Sequence, residues 1–179
     1  MAHRISVKAI ARTPQPAGVE KGRADLAAIL RELGAGEVVA LDMRGIRLVD
    51  SSWAREVIGT LVAEEPRGSV FYLDGVEFPV VAENVDAALF RGGHAILART
   101  ADGSHQVLGR PPSAEALEVL KVIERDREVT ARSVCSAIGG LASTACNNRL
   151  KDLLSARLVV RQESNLPGGG REFMYRALN

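Results

Sequence analysis

The chain has 179 residues, of which 46% are hydrophobic and 25% are charged, and its formal net charge is +1. This composition is ordinary for a soluble globular protein. No apolar run is long enough for a transmembrane helix, and the N-terminus lacks the apolar core of a signal peptide, so we expect a cytoplasmic protein with no membrane partner. The two cysteines, Cys135 and Cys146, form no C-x-x-C pair, and we expect small buried residues and no metal or cofactor.

The first part of the chain is predicted to alternate strands with helices. The predicted strands cover residues 4–11, 37–43, 69–74, 94–99 and 104–108, and the predicted helices cover 20–33, 53–63 and a segment through Val81, Val85 and Leu89. Alternation of this kind favours an α/β layered sheet.

Helical spacing predicts which faces these helices bury. In the helix over 20–33 the predicted apolar residues are Ala24, Ala27 or Ala28, Leu30 and Leu33. In the helix over 53–63 they are Trp53, Val57, Ile58 and Leu61. Asp50, Ser51 and Ser52 are residue types that cap a helix N-terminus, so the second of these helices has a clear start.

The last two strands of this part flank A-D-G-S, which predicts a tight hairpin because Asp-Gly accepts the positive φ angles of the turn. His94 and His105 stand at similar distances from this turn, so they could face each other across the hairpin. Two histidines without a third ligand are not a metal site, and we interpret their pairing as coincidental.

Gly109 to Pro112 predicts a domain boundary, because two prolines stop both helix and sheet. The predicted domains are residues 1–110 and 111–179. In the second, Ser113 is predicted to cap a helix over 113–126, whose apolar stripe is Leu117, Leu120 and Ile123 or Val119 and Val122. Thr130 is predicted to cap a second helix that ends at Gly139 and Gly140.

The third helix of this domain lies within residues 142–158, where Ser143 or Thr144 is predicted to cap it. Cys146, Leu150 and Leu153 fall at i, i+4 and i+7 and make one apolar stripe. The outward residues are Ala145, Asn147, Asn148 and Lys151, with Arg149 at the flank. A short-polar and basic outer face suits insertion into a DNA major groove, although an ordinary solvated helix has the same pattern.

Two strands joined by S-N-L-P-G-G-G follow, with a flexible tip predicted at the glycines. Three helices and a hairpin, with L-K-D-L-L-S-A-R-L-V-V-R between them, resemble a bacterial winged helix-turn-helix domain over 113–178. Arg157 stands where that family usually carries glycine, so the helix end must be capped another way or Arg157 must adopt the turn at some cost.

This resemblance implies a DNA-binding surface. We expect base contacts from Thr144, Asn147, Asn148 and Lys151, and phosphate or minor-groove contacts from Ser143, Arg149, Arg161 and Arg171. Residues 130–179 hold seven basic and three acidic side chains, whereas residues 1–129 hold 16 basic and 19 acidic ones. This excess of basic side chains in residues 130–179 supports only a weak basic face.

The segment V-V-A-L-D-M-R-G-I-R-L-V-D-S-S-W-A-R-E-V-I-G resembles the STAS domains of anti-sigma-factor antagonists and, more closely, STAS-like domains of unknown function. The resemblance covers roughly residues 4–90 and implies a candidate phosphosite at Ser51, with Ser52 adjacent. Antagonists usually carry glycine after the two serines, where this chain has Trp53, which could cover the serine, pack in the core or anchor a protein partner.

No G-x-S-x-G, Walker A, H-E-x-x-H or G-x-G-x-x-G motif is present, and no base stands beside either serine, so we expect no enzyme. The expected fold is an α/β STAS-like domain followed by a winged helix, an α+β domain. The expected function is transcriptional regulation by a homodimer that binds double-stranded DNA, with the STAS-like domain binding a protein partner or mediating assembly. The alternative is a non-catalytic interaction module, in a partner-switching circuit or a complex, whose winged helix docks on protein.

Overall fold

The computed structural model describes residues 2–139, 141–165 and 171–178. The chain divides into two compact units, Met1–Pro111 and Pro112–Asn179. Of the two predicted glycine features, the turn at Gly139 and Gly140 lies partly outside the described residues and the tip at 166–170 lies wholly outside them. Gly139 itself has a φ of +69°, as a tight turn requires.

The first unit alternates strands and helices as predicted. Its strands are β1 (His3–Ser6), β2 (Val38–Asp42), β3 (Val70–Val76), β4 (Ala95–Thr100) and β5 (His105–Gly109). Its helices are α1 (Val7–Ala11), α2 (Val19–Glu32), α3 (Ser51–Ala54), α4 (Thr60–Glu64) and α5 (Pro79–Gly92), with a π-helical segment at Arg55–Gly59 and a 3₁₀ turn at Pro66–Gly68.

Within the described residues, the five strands form one sheet in the order β1-β2-β3-β4-β5. The first four strands are parallel, and β5 returns antiparallel to β4 through the hairpin predicted at Asp102-Gly103. Consecutive parallel strands are neighbours, so right-handed crossovers bring their helices to the same face of the sheet. The fold is therefore a mixed α/β layer with a mostly parallel sheet.

The core lies between that face and the helices. The sheet contributes alternate residues, and the helices contribute the faces predicted for α3 to α4 and for α5. The sheet members are Ile5, Val39, Leu41, Phe71, Leu73, Ile96 and Ala98, and the helix members include Trp53, Val57, Ile58, Leu61, Val81, Val85 and Leu89. Burial of such side chains contributes roughly 1.5 to 3 kcal/mol each to folding, before entropy losses are counted.

The predicted helix over 53–63 is continuous from Ser51 to Glu64, with the π-helical segment in its middle. Gly22 of α2 lies against this segment, because a Cβ at Gly22 would stand 2.8 Å from the Cβ of Glu56. Close approach of α2 therefore depends on the missing side chain of Gly22.

The strand predicted over residues 4–11 is wrong beyond Ser6. The first strand ends at Ser6, and the hydroxyl of Ser6 accepts from the backbone N–H of Ala9 to start α1. Helix α1 buries Val7 and Ala11, which are four residues apart, so the segment fits a helical period as well as an alternating one.

The face predicted for α2 is right at Leu33, which is buried, and at Leu30, which packs against the core. It is wrong at Ala24, which is exposed, and the buried residues within the helix are Gly22, Asp25 and Ile29. A buried aspartate reverses the pattern that hydrophobicity alone predicts, and its partners are described below.

The second unit contains α6 (Ala114–Asp126), β6 (Glu128–Thr130), α7 (Ala131–Ala137), α8 (Ser143–Ser155), β7 (Val159–Asn165) and β8 (Arg171–Ala177). Strands β7 and β8 form the predicted hairpin, and the short strand β6, which was not predicted, pairs antiparallel with β8. Helix α6 buries Ala116, Val119, Leu120 and Ile123, a combination of the two predicted stripes. In the part of the chain that the structure describes, no helix combines the length and hydropathy needed to cross a membrane.

Candidate functional site

The helix pair α7 and α8 is the frame of the candidate DNA-binding surface. Thr130 begins α7 with a capping box, because its hydroxyl accepts from the N–H of Ser133 while the Ser133 hydroxyl accepts from the N–H of Thr130. Helix α8 begins differently from the prediction. Its N-cap is Ala142, whose side chain makes no capping hydrogen bond, so neither Ser143 nor Thr144 caps the helix.

The two hydroxyl-bearing side chains, of Ser143 and Thr144, therefore lie on the first turn of α8. Ser143 and Thr144 are exposed there, beside the unpaired N–H groups that open every helix. They are free of a capping role, so a ligand in front of this turn can reach both hydroxyls.

The remainder of α8 has the two faces predicted for it. Cys146, Leu150 and Leu153 are fully buried. The side chains on the opposite face are Asn147, Asn148 and Lys151, which are exposed, and Arg149 is half-buried at the flank. The buried stripe fixes the rotation of α8, so the amides and the lysine point outward.

Arg157 ends α8 in the left-handed conformation, with a φ of +55°. Its N–H donates to the carbonyl of Leu154, and the N–H of Leu158 donates to the carbonyl of Leu153, both at 3.0 Å. This is a Schellman motif, and Leu153 and Leu158, which hold the two positions of its usual apolar contact, are both buried. Arg157 therefore adopts the turn that glycine would favour, at a cost of about 1 kcal/mol.

The hairpin carries the two predicted backbone-contacting arginines on one face. Register pairs Arg161 with Tyr175 and Glu163 with Phe173, and Arg171 is diagonal to Glu163. The guanidinium of Arg161 stacks over the ring of Phe173, 4.2 Å from its centroid. Arg171 Nε donates to Glu163 Oε1 at 3.1 Å. Both arginines are exposed, but each already has a partner within the hairpin.

The second predicted site lies at the start of α3. Asp50 is the N-cap, and its carboxylate accepts from the N–H of Trp53 at 2.7 Å and from the N–H of Gly18 at 2.9 Å. Asp50 therefore caps this helix and the two serines do not, and Ser51 is exposed while Ser52 is half-buried. All three residue types can cap a helix, and the structure assigns that role to Asp50.

Trp53 does not form part of an exposed surface. It is fully buried, and its indole Nε1–H donates to Asp25 Oδ2 at 2.9 Å. Lys21 forms an ion pair with the other oxygen of Asp25. The prediction that Trp53 anchors a partner is therefore contradicted by its burial, and the indole packs in the core between α2 and α3.

A groove of about 360 Å³ opens beside Ser51, along the π-helical segment and α5. Its polar lining consists of Ser51, Ser52, Arg55, Thr60, Glu64, Arg91 and His94. Two guanidinium groups and one imidazole therefore line the same depression as the candidate phosphosite. π-helical turns are frequent at functional sites.

A charged cluster that the sequence reasoning missed lies at the carboxyl ends of β2 and β3. Register places Asp42 beside Asp74 and Asp74 beside Arg99, on the sheet face opposite the hydrophobic core. Arg44 binds Asp42 through two nitrogens at 2.8 and 2.5 Å, Arg99 Nε donates to Asp74 at 2.6 Å, and Arg4 forms ion pairs with both aspartates.

Hydrogen bonds from Arg44 hold the pKa of the Asp42 carboxyl below its usual range, and they outweigh the opposing effect of burial. Asp42 and Asp74 are nearly buried. The signal for this cluster was present as aspartate at the end of two apolar runs, A-L-D and Y-L-D. Carboxyl ends of parallel strands meet at one sheet edge, but only the register shows which arginines neutralise them.

The histidines do not face each other. His105 pairs with Arg99, whereas His94 precedes β4 at the other end of the hairpin. Among the described residues, no group of three or more His, Cys, Asp or Glu side chains could hold a metal ion.

Comparison with known proteins supports part of the STAS-like resemblance expected for the first unit. The family model of the STAS-like domain of unknown function DUF4325 matches residues 26–71, a smaller segment than the 4–90 expected from the sequence. The match includes the second half of α2, β2, the helix that starts at Ser51 and the start of β3. It therefore contains Ser51 and Trp53, whereas Asp25 lies just before it. No curated protein matches the chain.

One solved structure is similar over a limited region. It is described as a possible transcriptional regulator from Methanosarcina mazei Go1, is 24% identical, and has a TM-score of 0.33. The similarity covers 36% of this chain and 55% of that protein, so it spans about half of the relative's length. The family model by itself shows that residues 26–71 are similar to a STAS-like domain. These residues lie in the unit that has the mixed α/β fold.

Proposed function

We propose that this chain is a DNA-binding transcriptional regulator whose second unit is a winged helix. In this proposal α8 enters the major groove and the β7–β8 hairpin is the wing that contacts the phosphate backbone. The observation that carries the proposal is the outer face of α8. Asn147, Asn148 and Lys151 are exposed there while the opposite stripe is fully buried.

The chemistry of this face suits base reading. An asparagine amide can bind adenine through two hydrogen bonds, and a lysine can donate to guanine or neutralise a phosphate. Arg161 and Arg171 lie on the same face of the hairpin and are both exposed, which suits phosphate or minor-groove contact. One winged helix covers little DNA, so a homodimer on a two-fold operator is the economical assembly.

In the same proposal, the STAS-like unit binds a protein partner or mediates assembly and performs no catalysis. The groove beside Ser51 supports a switch at this surface, because a phosphate on Ser51 would add charge of about −2 at the start of a helix. Arg55 and Arg91 line that groove and could neutralise the added charge.

A second candidate is a non-catalytic interaction module whose winged helix docks on protein. Phe173 favours it, because this ring is 42% exposed on the hairpin face that also carries Arg161. Exposed aromatic and arginine pairs are typical anchors of protein interfaces. The two candidates differ in whether the chain binds DNA.

The experiment measures binding of the full chain to fragments of its own genome's promoter DNA, including the region upstream of its own gene, over a salt series. Lys151→Ala is compared with Lys121→Ala, which removes the same charge from an exposed position on α6. We expect Lys151→Ala to weaken DNA binding about tenfold and to lower the salt slope by about one, and Lys121→Ala to resemble the parent.

Asn148→Ala is expected to reduce discrimination between operator and random DNA, by roughly 1 to 3 kcal/mol per lost base contact. Equal effects of the two lysine variants would contradict major-groove insertion of α8. Absence of DNA binding even at low salt would favour the protein-docking candidate.

A further inference from the structure

The two cysteines of the chain lie on the two helices of the helix-turn-helix pair. Cys135 is half-buried on α7, and Cys146 is fully buried on α8. The thiol of Cys146 donates to the carbonyl oxygen of Ala131 at 3.5 Å. Ala131 is one helical turn before Cys135, so the Cys146 sulfur lies against the same turn of α7 that carries the Cys135 side chain.

Burial, and next the hydrogen bond to Cys135, raise the pKa of the Cys146 thiol to about 12. Cys146 is therefore a neutral thiol at physiological pH. Cys135 is the more accessible of the two, so an oxidant in solution meets it first.

We propose that Cys135 and Cys146 form a redox modification site that peroxide converts into a disulfide joining α7 to α8. The Cys135 thiolate attacks one peroxide oxygen, the O–O bond breaks, and a sulfenic acid and hydroxide form. The Cys146 sulfur then attacks the Cys135 sulfur, the S–O bond breaks, and the departing hydroxide takes the Cys146 proton as water. Two thiols and one peroxide thus yield one disulfide and two waters.

This bond would change the geometry of the helix pair. Sulfur atoms in a disulfide are about 2.05 Å apart, closer than two unbonded sulfur atoms can approach, so the bond would draw the Cys135 and Cys146 side chains together and constrain α8 against α7. The side chains opposite Cys146 on α8 belong to the proposed DNA-reading face. Formation of the disulfide does not depend on the proposed DNA-binding function. An effect of the disulfide on DNA binding does rest on that proposed function.

The high pKa of Cys146 has a kinetic consequence. Closure of the disulfide needs a nucleophilic Cys146 sulfur, so the reaction is expected to be slow at pH 7 and to accelerate toward pH 9. Cross-links of this kind in a reducing compartment are transient and serve sensing more often than stability.

The test uses the full chain in the reduced form, treated with a few equivalents of hydrogen peroxide and then alkylated. Intact mass spectrometry is expected to show that the chain has lost about 2 Da and has gained no alkyl group. Peptide mapping is expected to show Cys135 joined to Cys146. Dithiothreitol should restore two alkylatable thiols.

Cys135→Ser is the first control, because this position is half-buried and tolerates a hydroxyl. It should lose the 2 Da change while retaining the circular dichroism spectrum of the parent. Cys146→Ala is the second control and should accumulate oxygen adducts at Cys135. The proposal would be overturned if the parent gained oxygen at Cys135 while Cys146 remained alkylatable, or if the only disulfides joined two chains.

Discussion

The indole Nε1–H of Trp53 donates to Oδ2 of Asp25 at 2.9 Å, and both residues are almost completely buried. This hydrogen bond connects α2 to the helix that carries Ser51. It explains why α2 turns an aspartate toward the core, and why Trp53 is unavailable to a partner. Lys21 neutralises the remaining charge of Asp25.

Asp25→Ala is expected to lower the free energy of unfolding by about 2 kcal/mol, because the indole N–H loses the carboxylate that accepts its hydrogen bond and stays buried. Urea denaturation followed by fluorescence of Trp53, the single tryptophan of the chain, measures the change. Glu32→Ala, an exposed change near the end of the same helix, is the control and should shift stability by less than about 0.5 kcal/mol. Equal effects of the two variants would contradict a structural role for the hydrogen bond.

Gly109 and Gly103 offer a matched test of the β4–β5 hairpin, since both have positive φ, +90° and +86°. A Cβ at Gly109 would stand 2.2 Å from the backbone oxygen of His94, whereas a Cβ at Gly103 would meet no atom within 4 Å. Gly103→Ala is expected to cost about 1 kcal/mol from backbone strain alone. Gly109→Ala should cost about 3 kcal/mol or more, because backbone must also move. Similar denaturation midpoints for the two variants would show that the hairpin register is different.

Acid stability tests the Asp42–Arg44 pair. The folded-state pKa of Asp42 is lowered, so its contribution to stability is present above the ordinary carboxyl pKa and is lost as pH falls through the folded value. Arg44→Gln removes the main cause of that lowering and is expected to be less stable than the parent at pH 7.

The stability difference between parent and Arg44→Gln should shrink as pH falls below about 4, the usual carboxyl range. Unfolding free energies measured from pH 7 to pH 3 follow this convergence. A difference that stays constant over the whole range would mean that Arg44 acts through packing of its side chain and not through the charge of Asp42.

Glu163 tests the proposed wing. Because Arg171 is already paired with Glu163, that carboxylate competes with DNA phosphate for the guanidinium. Glu163→Gln is therefore expected to raise affinity for all DNA a few-fold at low salt. Glu172→Gln removes the same charge from the opposite face of the hairpin and is the matched control.

The effect of Glu163→Gln should disappear in the Arg171→Ala background if the pair is the cause. Arg171→Ala alone should weaken binding to operator and random DNA about equally. Equal gains from Glu163→Gln and Glu172→Gln would indicate a general effect of net charge.

Local sequence patterns predict the structure correctly where one residue type meets one local requirement. Thr130 and Ser113 begin their helices as predicted, because a hydroxyl accepts from a backbone N–H three residues away. Cys146, Leu150 and Leu153 are the buried stripe of α8, because their spacing leaves no other shared face. The Asp-Gly hairpin also forms where it was predicted.

Predictions failed where two local conformations satisfy the same sequence. Residues 7–11 alternate well enough for a strand, yet capping by Ser6 turns them into a helix. Ser143 and Thr144 are suitable caps, yet the chain enters α8 with Ala142 at that position. The difference between such options is a fraction of a kilocalorie locally, so packing elsewhere selects between them.

By itself, the sequence determined the alternation of strands and helices in the first unit and the buried stripe and polar face of α8. These depend on periodicity and on backbone geometry within a few residues. Only the tertiary structure decided that Trp53 is buried against Asp25, that Arg4 pairs with both Asp42 and Asp74, and that the thiol of Cys146 faces the turn of α7 before Cys135. Each of these joins residues distant in the chain, and contacts between distant residues are set by strand register and helix packing, which no local pattern encodes.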